Sequence, residues 1–415
     1  MQKDVTRLLS RWAAGLILVL CLPGRLAGGG EIVLGVSAAF RGPSRALGIE
    51  LYRGSMAYID YVNETGGVRG RKIVVKALDD GYNPLPAIAN TIELIERDQA
   101  FLLFDYVGTP TVTRILPLLK LYRARNIFLF FPFTGGESLR LPPYGSYVFN
   151  LRASYGQETK GLVDNFVRIG RKRVAVFYQA DAFGRSGWDG VRKALAEHGL
   201  KIVAEATYHR GADDAQSYRP QVDILRKANP DAVISVGVYA PCAGFIRDAR
   251  DAGWDVPIAN ISFVGRAFML DILVANGRRT GRDYTTNLIN TAVVPNYEDQ
   301  SLPAAREYRE LTDRFDPMPP QELAEAGYVL HHYNFTAFEG FLNAKLLVEI
   351  LKRVGDPFDR ARIREVVEGL RNLDIGIDIP VSFGPDKHQG LNKVYFTVLE
   401  QDRFVPIADW TRWRK

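Results

Sequence analysis

Residues 32–80 run IVLGVSAAFRGPSRALGIELYRGSMAYIDYVNETGGVRGRKIVVKALDD. Ile32, Val33, Leu34 and Val36 form a short apolar run, the pattern of a strand buried on both faces. Phe40, Arg41, Gly42, Pro43 and Ser44 make a turn-rich loop. Beyond it Ile49, Tyr52, Met56, Ile59 and Val62 recur at steps of 3, 4, 3 and 3, one stripe of a helix. Gly66 and Gly67 stop that helix in the manner of a left-handed C-terminal cap. Ile73, Val74 and Val75 open a second strand that ends at Asp79 and Asp80. A parallel unit of this kind sets its first loop at the carboxyl end of the strand, where open α/β sheets bind ligands.

The same alternation continues outward. Strands are expected over 101–104 and 127–131, with helices marked by Ile88, Ile92 and Ile95 and by Ile115, Leu118, Leu119 and Tyr122. An extended segment over 147–151 leads out of this lobe. A second set follows: helices at Leu162, Phe166 and Ile169, over 188–198, 218–227 and 242–252, and strands over 174–178, 202–206, 232–236 and 257–261. The last third predicts helices over 304–315, 323–353 and 363–370, the second interrupted by Gly327 and Gly340. It also predicts a small antiparallel set over 381–383, 394–399 and 404–407, with turns at 384–386 and at Gln401-Asp402. A chain of 415 residues with this many strands exceeds one compact sheet. The expected fold class is α/β: two Rossmann-like lobes with parallel central sheets.

The first 30 residues differ from the rest. Lys3, Arg7 and Arg11 precede an apolar run over 12–22, and Ala27, Gly28, Gly29 and Gly30 suit signal-peptidase cleavage, so 1–29 reads as a secretory signal peptide. The run is too short to span a bilayer comfortably. Cys21 follows Leu20, which is bulkier than the residue a lipoprotein site carries. Removing 1–29 takes away Lys3, Arg7, Arg11 and Arg25 against Asp4 and lowers the net charge from +6 to +3, so nucleic acid is not implied as a partner. Cys242 is then the only cysteine, which excludes an internal disulfide and a cysteine metal cluster.

Three loops after strands carry small or hydroxyl residues, over 42–44, 108–111 and 134–136. Helix starts at such loops present free N–H groups and suit an anion. Enzyme and metal signatures are weak. There is no G-x-G-x-x-G near Gly42, no G-x-x-x-x-G-K-[ST] and no G-x-S-x-G. His331 and His332 are adjacent and point apart on a helix, while Asp79 and Asp80 diverge on a strand. Asp181 has no basic or nucleophilic partner in its neighbourhood of sequence and reads as a cleft-lining or capping residue. Catalytic residues, metal ligands and cofactors are therefore expected to be none.

The segment Asn63-Glu64-Thr65-Gly66-Gly67-Val68-Arg69-Gly70-Arg71-Lys72-Ile73 resembles the N-x-x-G-G-[IV]-x-G-[RK]-x-[IV] pattern of periplasmic solute-binding proteins of ABC importers, in the branched-chain amino acid and amide branch. Asp79-Asp80, Gly42-Pro43, Asp181-Ala182-Phe183-Gly184 and Gly237-Val238-Tyr239 fall where that branch has its further turns, and the likeness covers roughly 31–400. The resemblance implies two lobes, 31–152 plus 296–375 and 153–295 plus 376–415, joined by three crossovers near Arg152, Pro295 and Gly376, with ligand in the cleft. It implies an exported, non-enzymatic, monomeric protein that hands a small-molecule solute to importer membrane subunits. The alternatives are a sensor subunit reporting to a membrane receptor and an exported α/β enzyme. Carboxylate contacts are implied at Gly108, Thr109, Phe133, Thr134 and Gly135, and walls at Phe183 and Tyr239, with Tyr155 a further candidate. Phe40, Tyr106 and Phe263 add aromatic groups to the inferred cleft. The acid that meets a substrate ammonium in the family falls at Ser262, a departure that Asp181 or Glu137 is placed to offset.

The leader reading makes a direct prediction. N-terminal sequencing of exported protein should begin near Gly30; a product that retains Trp12 contradicts it.

Overall fold

The computed structural model describes residues 30–400 and 403–415. The signal peptide expected over 1–29 and the turn expected at Gln401-Asp402 lie outside the described residues. In chain order, β1 (Ile32–Ala38), α1 (Arg45–Glu64), β2 (Ile73–Asp79), α2 (Pro84–Glu96), β3 (Leu102–Phe104), α3 (Thr109–Leu121), β4 (Leu129–Phe130) and β5 (Val148–Phe149) build the first sheet and its helices. The strands are all parallel in the order β2-β1-β3-β4-β5. β1 and β2 pair in register from Ile32↔Ile73 to Ala38↔Asp79, so both strands end level.

The second sheet starts after α4 (Tyr155–Arg168). It is built from β6 (Val174–Gln179), α5 (Ala182–Glu197), β7 (Glu205–Tyr208), α6 (Arg219–Lys227), β8 (Ala232–Val236), α7 (Tyr239–Asp251), β9 (Ile258–Asn260), α8 (Arg266–Thr280) and β10 (Leu288–Ala292). The chain then forms α9 (Pro303–Phe315), α10 (Phe335–Val354) and α11 (Ile363–Glu368) and returns with β11 (Tyr395–Glu400) and β12 (Arg403–Pro406). The order is β12-β11-β10-β9-β8-β6-β7, parallel except where β11 runs against β10 and β12 against β11. The two-lobe α/β fold expected from the sequence is the observed one. β6 and β8 are buried along their whole length, as strands covered by helices on both faces must be.

Several boundaries differ from expectation. α5 starts at Ala182 rather than Trp188, because the Asp181 carboxylate accepts from Phe183 N–H and caps it. α7 starts at Tyr239 rather than Cys242, without a side-chain cap. β7 lies over 205–208, starting three residues beyond the start of the apolar run at Ile202. α8 and β10 were not anticipated; the apolar residues of α8 do not fall in one stripe. The helix expected over 323–353 is only α10. Asn334 caps it by accepting from Ala337 N–H at 2.8 Å, and Gly327 sits in the irregular segment before it at φ 80°. The Glu50 carboxylate holds that segment in a non-helical path, accepting from Tyr328 Oη, His331 N and Asn334 Nδ2. The antiparallel set also resolves differently: β11 and β12 extend the second sheet, whereas Val381 bridges Leu373.

Gly340 does not break α10; it lets α1 and α10 touch. A Cβ at Gly340 would lie 2.1 Å from the Leu51 carbonyl oxygen, and one at Gly54 would lie 1.7 Å from that of Ala337. Backbone against backbone leaves no room for any side chain. Gly54→Val should therefore destabilise the fold by about 1–3 kcal/mol through overpacking, read as a Tm lower by roughly 3–10 °C in thermal denaturation. An unchanged Tm would contradict this contact.

Candidate functional site

The loops at the carboxyl ends of both sheets meet. On the first sheet, Asp79 Oδ1 accepts from the N–H groups of Phe40 (2.8 Å), Arg41 (3.1 Å) and Gly81 (3.2 Å), which ties the loop after β1 to the end of β2. Asp80 accepts from Ser37 Oγ and Tyr82 N–H, both at 2.8 Å. Tyr82 is thereby fixed at φ 60° with its ring toward the second lobe. Gly108, at φ 97°, makes that placement possible, since a Cβ there would sit 2.1 Å from the Tyr82 ring.

Phe263, from the loop after β9, is the centre of the interface. Its ring centroid lies 4.6 Å from Phe183, 5.3 Å from Phe133, 6.1 Å from Tyr82 and 6.4 Å from Tyr155. All five rings are buried, and Tyr82 and Phe133 come from the first lobe's loops. Beside them the Thr109 and Thr134 hydroxyls are 2.7 Å apart, and Gly136 N–H donates to Thr134 Oγ1. Gly135 lets Tyr155 pack: its carbonyl accepts from Tyr155 N–H at 2.8 Å, and a Cβ would lie 2.5 Å from the ring. The Tyr155 hydroxyl is buried without a hydrogen-bond partner. Burial raises its pKa, against the Arg152 charge and the neighbouring Thr134 and Thr109 hydroxyls.

A buried ionic cluster borders the rings. The Arg152 guanidinium lies 4.5 Å from the Phe133 centroid and donates to Ser262 Oγ. It stands 4.0 Å from Glu158 and 3.5 Å from Glu339. Glu158 accepts from Ser262 N–H (2.7 Å), Ser262 Oγ (2.9 Å) and Thr291 Oγ1. Glu339 pairs with Arg152, and burial with the Glu158 charge pushes its pKa up to about 7.

The sequence-derived candidates thus divide. Gly108, Thr109, Phe133, Thr134, Gly135, Tyr155, Phe183, Ser262 and Phe263 come together. Asp181 sits at their edge as the cap of α5, accepting from Gln179 Nε2 at 2.7 Å, with Arg210 3.7 Å away. Tyr239 lies outward. Its hydroxyl meets Ala46 N–H at 3.4 Å, and its ring packs on Phe268 and lines a cleft of about 550 Å³ with Arg45, Tyr328 and His331. Phe40 is buried against Tyr52 within the first lobe. Tyr106 lies apart in the core formed with α2 and α3, its hydroxyl 3.1 Å from Thr91 Oγ1. Glu137 Oε1 accepts from Gly156 N–H at 3.1 Å. Sequence reading missed Tyr82, Glu158 and Glu339. Glu158 had a signal: it falls in the stripe Tyr155, Leu162, Phe166 of α4, where a carboxylate is out of place.

The family described as periplasmic binding protein matches residues 31–403. The Leu/Ile/Val-binding protein homolog 3 of Brucella melitensis is 24% identical over 224 residues, which are 54% of this chain and 59% of that protein. The match therefore spans little more than half of that relative. A crystal structure of a possible leucine/isoleucine/valine-binding protein from Rhodopirellula baltica superposes with a TM-score of 0.81 at 27% identity, covering 94% of this chain and 98% of that one. A substrate-binding periplasmic protein from Ralstonia solanacearum gives 0.77 at 27% identity, covering 89% and 97%. The chain belongs to the periplasmic binding protein family.

The buried acids predict a pH dependence. Burial raises Glu339 and Asp80 to about 7 and Asp105 well above the carboxylate range. The folded state then binds protons that the unfolded state releases, so this stability is present below about 4 and is lost as pH rises through about 7. Tm should fall between pH 5 and pH 8, and Glu339→Gln should flatten part of that slope. A Tm higher at pH 8 in both proteins would contradict the assignment.

Proposed function

We propose that this member of the periplasmic binding protein family is an exported, non-enzymatic solute-binding protein that traps a small organic solute by lobe closure and delivers it to the membrane subunits of an ABC importer. The observation that carries the reading is the buried ring cluster. Both lobes build it, and its polar break is the unpartnered Tyr155 hydroxyl beside the Thr109–Thr134 pair at the start of α3. The lobes 31–152 plus 296–375 and 153–295 plus 376–415 hinge at crossovers near Arg152, Pro295 and Gly376. Solute enters when the rings part, and binding energy holds them shut. The names of the Brucella and Rhodopirellula relatives support solutes of amino-acid size.

The solute is a small carboxylate with an apolar or aromatic body. The first turn of α3, two threonine hydroxyls and Tyr155 suit the carboxylate, and Phe133, Phe183 and Phe263 suit the body. At the place expected to meet an ammonium stands Ser262. Burying an unpaired ammonium costs several kcal/mol, most of the roughly 8 kcal/mol of a micromolar complex. One observation favours a free amino acid instead: the Glu158 carboxylate lies against Ser262. It already accepts from three donors and faces Arg152, which leaves the carboxylate reading ahead.

Calorimetry separates the two. Leucine, valine and phenylalanine are compared with their deaminated acids and with benzoate-type acids. Preference for the acids is expected; tighter binding of the amino acids throughout refutes the proposal. Tyr155→Phe should weaken the bound acid about 10-fold or more, the worth of a hydrogen bond to a charged group. X-ray scattering should show a smaller radius of gyration once the solute is bound.

A further inference from the structure

A second chamber, of about 20 Å³, lies between the lobes and is lined by Phe133, Ser262, Arg266, Thr291, Asn334 and Glu339 among others. Three positive ends meet at its wall. Arg266 is the first residue of α8, Phe335 is the first of α10, and the Arg266 guanidinium lies on the Phe335 ring, 3.2 Å from its centroid. The Asn334 cap satisfies Ala337 N–H, so the N–H groups of Phe335 and Thr336 have no acceptor within the helix.

Arg266 is short of partners. It is 4% exposed, and Nη1 donates to Thr397 Oγ1 at 2.8 Å, but Nε and Nη2 have no partner. Burial lowers its pKa to about 9, and the Glu298 charge that opposes the fall is itself paired with Arg403 at 2.8 Å. Arg152, 1% exposed, has Nε 3.5 Å from Glu339 and leaves Nη1 without a hydrogen-bond partner while touching Phe133 and Ser262 on the chamber wall. The only carboxylate among the lining residues is Glu339, whose charged form burial disfavours. Unpaired buried donors of this kind call for an anion.

We propose that this chamber binds a compact, halide-sized monoanion between the Arg266 guanidinium and the first turn of α10. The volume sets the size: about 10–15 Å³ of such space holds one water, so a monatomic ion fits and a solute with an apolar body does not. Because α8 belongs to the second sheet's lobe and Phe133 and Glu339 stand on first-lobe elements, the anion bridges the interface and favours the closed form.

The same chemistry has a second source, the solute's own carboxylate, and two arms separate them. Solute-free protein is melted in about 0.15 M chloride and in gluconate at equal ionic strength. Chloride should raise Tm by about 2–4 °C, and bromide-soaked crystals should show an anomalous peak beside Arg266. Equal Tm values with no bromide peak overturn the proposal. So does chloride weakening the affinity for an organic acid in proportion to its concentration, which assigns the position to the solute. Arg266→Gln should abolish the chloride effect. If that variant does not fold, Glu339→Gln supplies the test: with the competing carboxylate gone, the chloride effect at pH 8 should equal or exceed that of the unsubstituted protein, and its loss counts against the site.

Discussion

The Arg152 guanidinium, buried where the chain passes from one sheet to the other, obliges both lobes to supply its partners. A buried charge is tolerated only when paired and hydrogen-bonded. Ser262 and Glu158 answer from the second lobe, Glu339 and the face of Phe133 from the first. The Arg152 network is thus a point of registry between the two lobes, beside the apolar ring cluster.

The aromatic interface depends on that registry. Phe263 reaches four rings because Gly108 and Gly135 leave room for Tyr82 and Tyr155, and because Asp80 and Asp181 fix the loops beside them. The Tyr155 hydroxyl and the Thr109–Thr134 pair keep one polar face inside the cluster. The α1–α10 backbone contact serves a different end: it packs two helices of the first lobe backbone against backbone.

What was legible in the sequence came from periodicity and turn chemistry, which are local. Apolar runs of four to seven residues and the stripe from Ile49 to Val62 sufficed for the strands, for α1 and for the two-lobe α/β class. Gly66-Gly67 sufficed for the end of α1, where both residues take positive φ. The loops carrying Thr109 and Thr134 were legible as turns after successive strands, and Phe183 through the resemblance of Asp181-Ala182-Phe183-Gly184.

Tertiary structure alone decided the rest, because its causes lie far apart in the chain. Glu50 draws residues 328–334 out of a helix that their spacing otherwise favours, across some 280 positions. Gly340 reads as a breaker by itself and is a contact point only because α1 passes over it. Tyr106 shares the loop pattern of its neighbours but turns into the core of α2 and α3. Glu158 stands out in the sequence only as a carboxylate in an apolar helical stripe, and its partner and that of Glu339 are known only once Arg152 is placed between them. Local propensity acts within a few residues, whereas pairing a buried charge requires groups that only the folded chain brings together.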